Sequence, residues 1–200
     1  MAAPALSHTQ ERAAATANGG AMLAFLAITL VGLILLIVLA VRGGGPAVAI
    51  PTAVLGVVWL ILAAGFYTLQ PNEAAAITLF GNYKGTDRTP GLRWVLPWFM
   101  RKKISLRVRN VTGEKLKVND KRGNPIEIAA VVVWRVTDTA QALFDVDNYE
   151  TFVDIQIETA VREIASHFSY DHAEHDEPTL RGDAEQVSAL LRQKLQERVS

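Results

Sequence analysis

Two long uncharged runs dominate the first third of the chain, Ala21 to Val41 and Ala47 to Leu69. At ~1.5 Å rise per residue, helices of this length cover the ~30 Å hydrocarbon core of a bilayer. Arg42-Gly43-Gly44-Gly45-Pro46 separates them. So short a connection makes the two helices antiparallel neighbours, and Pro46 suits the first turn of the second. The pattern predicts an N-terminal two-helix transmembrane hairpin over 21–41 and 47–69, with both flanking segments on one side. Two buried helices of a soluble protein would need far more chain around them than remains. A cleaved signal peptide fits poorly, because its apolar core usually spans about 7–15 residues and follows a basic start. Residues 1–20 hold Glu11, Arg12 and too little apolar surface for a core, which predicts a flexible N-terminal tail.

Beyond Gln70 the period shortens to two. Glu73–Phe80 and Tyr83–Thr86 read as a hairpin around Gly81-Asn82, and Thr89-Pro90-Gly91-Leu92 as a turn. Lys103–Val111 alternates, with Ile104, Leu106 and Val108 on one face; Leu116 and Val118 continue the pattern. Asp120–Asn124 is a further turn. Ile126–Val136 then reads as one strand with Ile126, Ile128, Ala130, Val132, Trp134 and Val136 on a face. After that the period becomes helical. Asp138–Phe144 suggests a short helix, and Asn148 caps a long one whose stripe is Val153, Ile157, Ala160, Val161 and Ile164. Asp183 and Gln186 resemble a capping box ahead of Val187, Leu190, Leu191 and Leu195. No stop signal precedes Ser200, so the last helix is expected to continue. Strands first and helices after predict an α+β domain over 70–200 with an antiparallel sheet.

Charge changes this picture. The total is zero, with 20 basic and 20 acidic residues, but the two signs are segregated. Pro71–Arg135 holds thirteen Lys/Arg against five Asp/Glu, a net of +8, and Val136–Ser200 five against fourteen, a net of −9. A basic half beside the helices suits anionic headgroups. Tyr67, Trp94, Trp98, Phe99 and Met100, next to Arg101, Lys102 and Lys103, have the composition of a membrane-surface contact. The same rings could instead close the domain core, and sequence does not separate the two readings. The basic residues after the second span favour a cytoplasmic domain on a plasma (inner) membrane protein. A basic half and an acidic half also invite head-to-tail packing of copies. Arg107 and Arg109, on a strand with no interleaved stacking rings, point to oligomer or lipid contact and not to nucleic acid.

The order of motifs carries a resemblance. Tyr67–Glu73, Leu79-Phe80-Gly81, Pro90–Trp94, Lys103–Arg109, Lys117–Ile126 and Ala130–Val136 together resemble an SPFH (Band 7) domain. That is the domain of stomatin, prohibitin, flotillin and the bacterial HflK and HflC proteins. The resemblance implies an SPFH fold, a membrane-bound homo-oligomer (ring or cage) and a coiled coil after the domain, before which this chain ends. It further implies a non-enzymatic scaffold of membrane microdomains and protein quality control, with membrane proteases among its partners.

Candidate chemistry is sparse. The sequence has no cysteine, no Gly-x-Ser-x-Gly elbow, no P-loop, no dinucleotide glycine fingerprint and no His-Glu-x-x-His. Neither catalytic residues nor a cofactor are expected. His167, His172 and His175 with Asp176 and Glu177 come nearest to a metal site. Pro178 and the polar run around them favour a solvated loop, so no metal is expected either.

Overall fold

The computed structural model describes residues 10–171 and 178–199. It is an α+β structure: a long apolar helical segment, then strands, then two C-terminal helices. The strands are β1 Ala17–Asn18, β2 Phe66–Leu69, β3 Glu73–Leu79, β4 Asn82–Asp87, β5 Gly91–Trp94, β6 Met100–Ser105, β7 Arg109–Thr112, β8 Leu116–Asn119, β9 Pro125–Ile128 and β10 Val131–Trp134. The helices are α1 Gly19–Leu39, α2 Gly45–Ala63, α3 Tyr149–His167 and α4 Ala184–Val199. Two compact units result. One comprises the described residues up to Arg107 with Val136–Gln141, and the other Val108–Arg135 with the described residues from Ala142 onward.

In the first unit, Gly19–Ala63 is helical over 45 residues, long and apolar enough to cross a membrane. Ala40–Gly44 is a π-helical turn broken at Gly43, whose φ of 118° only glycine takes freely. Across that break, Trp59 Nε1 donates to Leu26 O at 3.1 Å. The second apolar helix ends at Ala63, not at the expected Leu69. Gly65 stops it, and Phe66–Leu69 leaves as β2, with Tyr67 and Leu69 buried. β5 lies between β1 and β2, so Ala17 and Phe66 both pair with Trp94. Gly19 and Gly65 sit at these junctions because a Cβ at either would overlap the Leu92 or Val95 carbonyl oxygen.

A second antiparallel sheet, ordered β4-β3-β6, packs Ala75 and Ile77 against Tyr67, Leu69 and Val95. Its hairpin turns one residue earlier than expected, at Phe80-Gly81. Both have positive φ, 47° and 84°, as a two-residue turn between paired Leu79 and Asn82 requires. Gly91 and Leu92, expected in a turn, open β5. The segment expected as a tail is not free over residues 10–18: Thr86 N donates to Arg12 O, and Ala14 N to Thr86 O.

The second unit contains two hairpin-like pairs, β7 with β10 and β8 with β9. The strand expected over 103–111 is broken between Ser105 and Arg109, where β6 and β7 join different sheets. The strand expected over 126–136 is likewise two, β9 and β10. Alternation survives the gap: Ile128, Ala130, Val132 and Trp134 pack on Val153, Ile157 and Val161 of α3. Asn148 Oδ1 caps α3 by accepting from Glu150 N and Thr151 N at 3.0 and 3.2 Å. Asp183 serves differently from the expected capping box: its carboxylate accepts from Thr179 N at 2.8 Å.

Ile157 lies at the centre of that stripe, 3% exposed. Replacing it with Ala removes buried methyl groups and leaves a cavity. We expect a loss of about 3 kcal/mol, read as a lower urea midpoint for the unit containing Trp134 in detergent-solubilised protein.

Candidate functional site

The foot of the apolar helices converges on one carboxylate. Asp87 ends β4 and is 4% exposed. Its Oδ2 accepts from Tyr67 Oη at 2.7 Å, Thr16 Oγ1 at 2.9 Å and Arg93 Nε at 2.9 Å. Oδ1 accepts from Thr89 N at 3.0 Å. Thr16 precedes α1, Tyr67 follows α2 and Arg93 lies on β5, so one acid on β4 joins both flanks of the helical segment to β5. Burial pushes the carboxyl up, but the bonds from Tyr67, Thr89, Arg93 and Thr16 outweigh it and hold it below its ordinary value. Tyr67 moves the other way: burial and the adjacent Asp87 charge push its phenol well above the ordinary value.

A second ionic node lies beside the first. Glu11 takes a bidentate pair from Arg88, Nε at 2.6 Å and Nη2 at 2.7 Å. It also accepts from Thr139 N and Thr139 Oγ1, both at 2.8 Å. Burial raises the Glu11 carboxyl, and the Arg88 and Thr139 bonds more than offset this and leave it lowered. Thr86 Oγ1 and Thr139 Oγ1 share a buried bond of 2.7 Å. These acids and bases are mutually neutralised, which describes a clamp and not a nucleophile with its base.

The expected surface residues fall into three groups. Tyr67 is 8% exposed and bonded to Asp87, so it sits in the domain interior and not at an interface. Trp94, Phe99 and Arg101 are half-buried against the helix foot. Trp94 Nε1 donates to Leu62 O at 2.8 Å, Phe99 packs on the core, and Arg101 Nη1 donates to Phe66 O at 3.1 Å. Arg101 also lies over the Tyr67 ring, 5.6 Å from its centroid. Trp98, Lys102 and Lys103 are exposed; Lys103 Nζ stands 3.8 Å from Glu73. Beside Trp98, at 52% exposure, stand Met100 at 68%, which the sequence groups with these rings, and Phe80 at 86%, which the sequence pattern did not single out. Met100 pairs with Thr78, two residues before Phe80, so the three apolar side chains share one end of the sheet. That end holds Arg101 and therefore the foot of α2. The hairpin turn read at Gly81-Asn82 was the available signal, since a residue beside such a turn lies at the surface.

Of the two expected oligomer contacts, Arg107 is exposed and its Nη2 donates to Gln70 Oε1 at 3.0 Å. Arg109 belongs to the second unit, paired with Glu150 and stacked over Trp134 and Tyr149 at 5.8 and 5.6 Å. His167 closes α3, with Nδ1 2.7 Å from Glu163 O. His172, His175, Asp176 and Glu177 lie outside the described residues. Among the described residues, no group of three or more His, Cys, Asp or Glu side chains is placed to hold a metal ion.

Asp87→Asn breaks a buried pair and leaves Arg93 uncompensated, which should cost about 3–5 kcal/mol. Because the folded carboxyl lies below its ordinary value, its contribution is complete above about pH 4 and is lost as pH falls through the folded value. Acid unfolding should therefore be shallower in Asp87→Asn than in the parent, measured by urea midpoints from pH 7 down to pH 3.

Comparison with known proteins places this geometry. Protein HflK of Haemophilus influenzae is similar at 27% identity over 129 residues, which cover 62% of this chain. The same alignment spans 30% of that relative, so the chain represents under a third of its length. The SPFH domain / Band 7 family matches residues 67–199, from β2 at the helix foot to the end of α4. With two thirds of its length matched, and with the strands-then-helices order that the alternation implies, the chain belongs to the SPFH/Band 7 family.

Proposed function

We propose that this protein is a non-enzymatic, membrane-anchored scaffold whose copies assemble into a ring or cage and organise membrane microdomains and protein quality control. The observation that carries the reading is the double attachment of the apolar helical segment to β5, at Ala17 and at Phe66. Together with the break at Gly43 and the Trp59–Leu26 bond, it supports two antiparallel spans rising from one foot. Most apolar side chains of those helices are exposed, as lipid-facing surfaces are. Phe80, Trp98 and Met100 project at the same end, beside the exposed Lys102, and suit the headgroup boundary of an anionic leaflet. The basic bias after the second span supports a cytoplasmic domain on an inner-membrane protein.

The similarity to Protein HflK favours a second reading, a regulatory subunit of a membrane protease complex. Co-purification in mild detergent separates the two. A large homomeric particle without a protease supports the scaffold, with salt slowing its reassembly more than reducing its size. A stoichiometric protease partner supports the regulator, and labelling of the pure chain by a serine hydrolase probe overturns both.

The absence of cysteine makes the membrane contact directly testable. Phe80→Cys carrying an environment-sensitive dye should shift to the blue in anionic vesicles and be quenched by brominated lipid. The same dye on Pro71→Cys, exposed in the turn ahead of the opposite end of β3, should respond to neither. Equal responses at the two positions would exclude the contact.

A further inference from the structure

Strand β4 is an edge of its three-stranded sheet, and an exposed edge is a template for pairing with another strand. Here the edge is occupied by the chain itself. Thr86 N donates to Arg12 O at 2.7 Å and Ala14 N donates to Thr86 O at 3.1 Å, a parallel bridge. Gly85 admits this approach, because a Cβ there would lie 2.7 Å from Ala14 Cα. The side chains of the segment are then read individually. Glu11 enters the Arg88 fork and the Thr139 amide and hydroxyl. Arg12 lies over the Tyr83 ring at 5.7 Å, and Thr16 reaches Asp87 and Arg93.

Two further bonds reach the segment: Glu11 N donates to Asp138 Oδ2 at 3.1 Å, and Arg12 Nη2 donates to the Tyr83 carbonyl. Ala14 alone of its alanines packs on the core cluster, and Arg88 keeps 44% of its side chain in solvent. Its hold is polar and partly open to solvent, where ion pairs are weak, and little apolar burial offsets the entropy of ordering the segment. An open hollow of about 450 Å³ lies between the segment and the end of β4, walled by Thr86, Asp87, Arg88, Thr89 and Arg93.

We propose that the β4 edge is a strand-addition site for an extended polypeptide carrying a carboxylate, and that residues 10–16 occupy it as a displaceable internal ligand. Ladder bonds accept any sequence, so register is set by side chains. The carboxylate fills the Arg88–Thr139 site, a small residue three places on passes Gly85, and a hydroxyl two places further meets Asp87 and Arg93. The internal segment has this spacing in Glu11, Ala14 and Thr16. This site is independent of the scaffold reading, since a strand can be captured by a monomer or an assembly.

The test uses the full chain in nanodiscs and a fluorescent peptide of residues 9–18. Glu11→Ala should expose the Thr86 amide to hydrogen exchange and bind the peptide at least tenfold more tightly than the parent chain. Added peptide should restore Thr86 protection. A peptide with Gln for its Glu, or the double variant Glu11→Ala/Arg88→Ala, should lose at least tenfold in affinity. A Thr86 amide that stays protected in Glu11→Ala would show that the segment is not displaceable and overturn the proposal. So would an exposed amide with no peptide binding, or binding indifferent to Arg88.

Discussion

Asp87 is the charge on which the helix foot depends. A buried carboxylate is tolerable only when its lone pairs are filled, and here four donors converge on it: Tyr67, Thr16, Arg93 and the Thr89 amide. Two of those donors lie immediately outside the apolar helical segment, one on each flank. The Tyr67 bond therefore fixes where one end of that segment leaves the domain, and the pairing of Ala17 and Asn18 with β5 holds the other end whether or not Thr16 keeps its bond. The pairing of β5 on both edges then continues the constraint along the backbone.

With both ends held, the direction of α1 and α2 follows from the strand they share. Glycine at 19 and 65 lets helix and strand meet without a side chain between them, and Trp94 and Arg101 donate to the Leu62 carbonyl near the end of α2 and the Phe66 carbonyl at the start of β2. The foot is thus polar within and apolar at its rim. An element with that composition is stable both against water and against headgroups, which a wholly apolar foot would not be. Phe80 is the exception: it holds a positive φ that an aromatic residue rarely adopts and buries almost none of its ring. Strain combined with exposure is a poor solution for a soluble domain and a reasonable one where the ring meets lipid.

Much of this was legible before any coordinates. The α3 stripe and its Asn148 cap stood out because burial on one helical face leaves a period of about 3.6. Alternation exposed the strands. The gap within 126–136 preserves parity and leaves no mark on the pattern. The gap within 103–111 reverses it, with Ile104 and Val111 inward and Val108, expected beside Ile104, exposed. The helix end did not show. Ala64-Gly65-Phe66-Tyr67-Thr68-Leu69 is uncharged, and hydropathy cannot tell a buried strand from the last turns of a membrane helix; Gly65 was the only break. The clamp did not show either, because Glu11 meets Arg88 across 77 positions and Thr139 across 128. Short polar segments resemble disorder whenever their partners are that distant.

Charge segregation along the chain remains, but its use is narrower than the net values suggest. In the basic half, Arg93 and Arg88 are bound to Asp87 and Glu11, and Arg101 to backbone carbonyls. In the second unit, Arg109 is committed to Glu150 and two rings, while Lys194 and Arg198 share Glu163. Recruiting any of these to a neighbouring copy would mean breaking an internal pair first, which cancels much of the gain. An exposed base such as Lys102 acts instead through its field. In the proposed assembly, such charges speed and orient encounters more than they hold copies together, so cohesion must come from apolar surface and from the shared membrane.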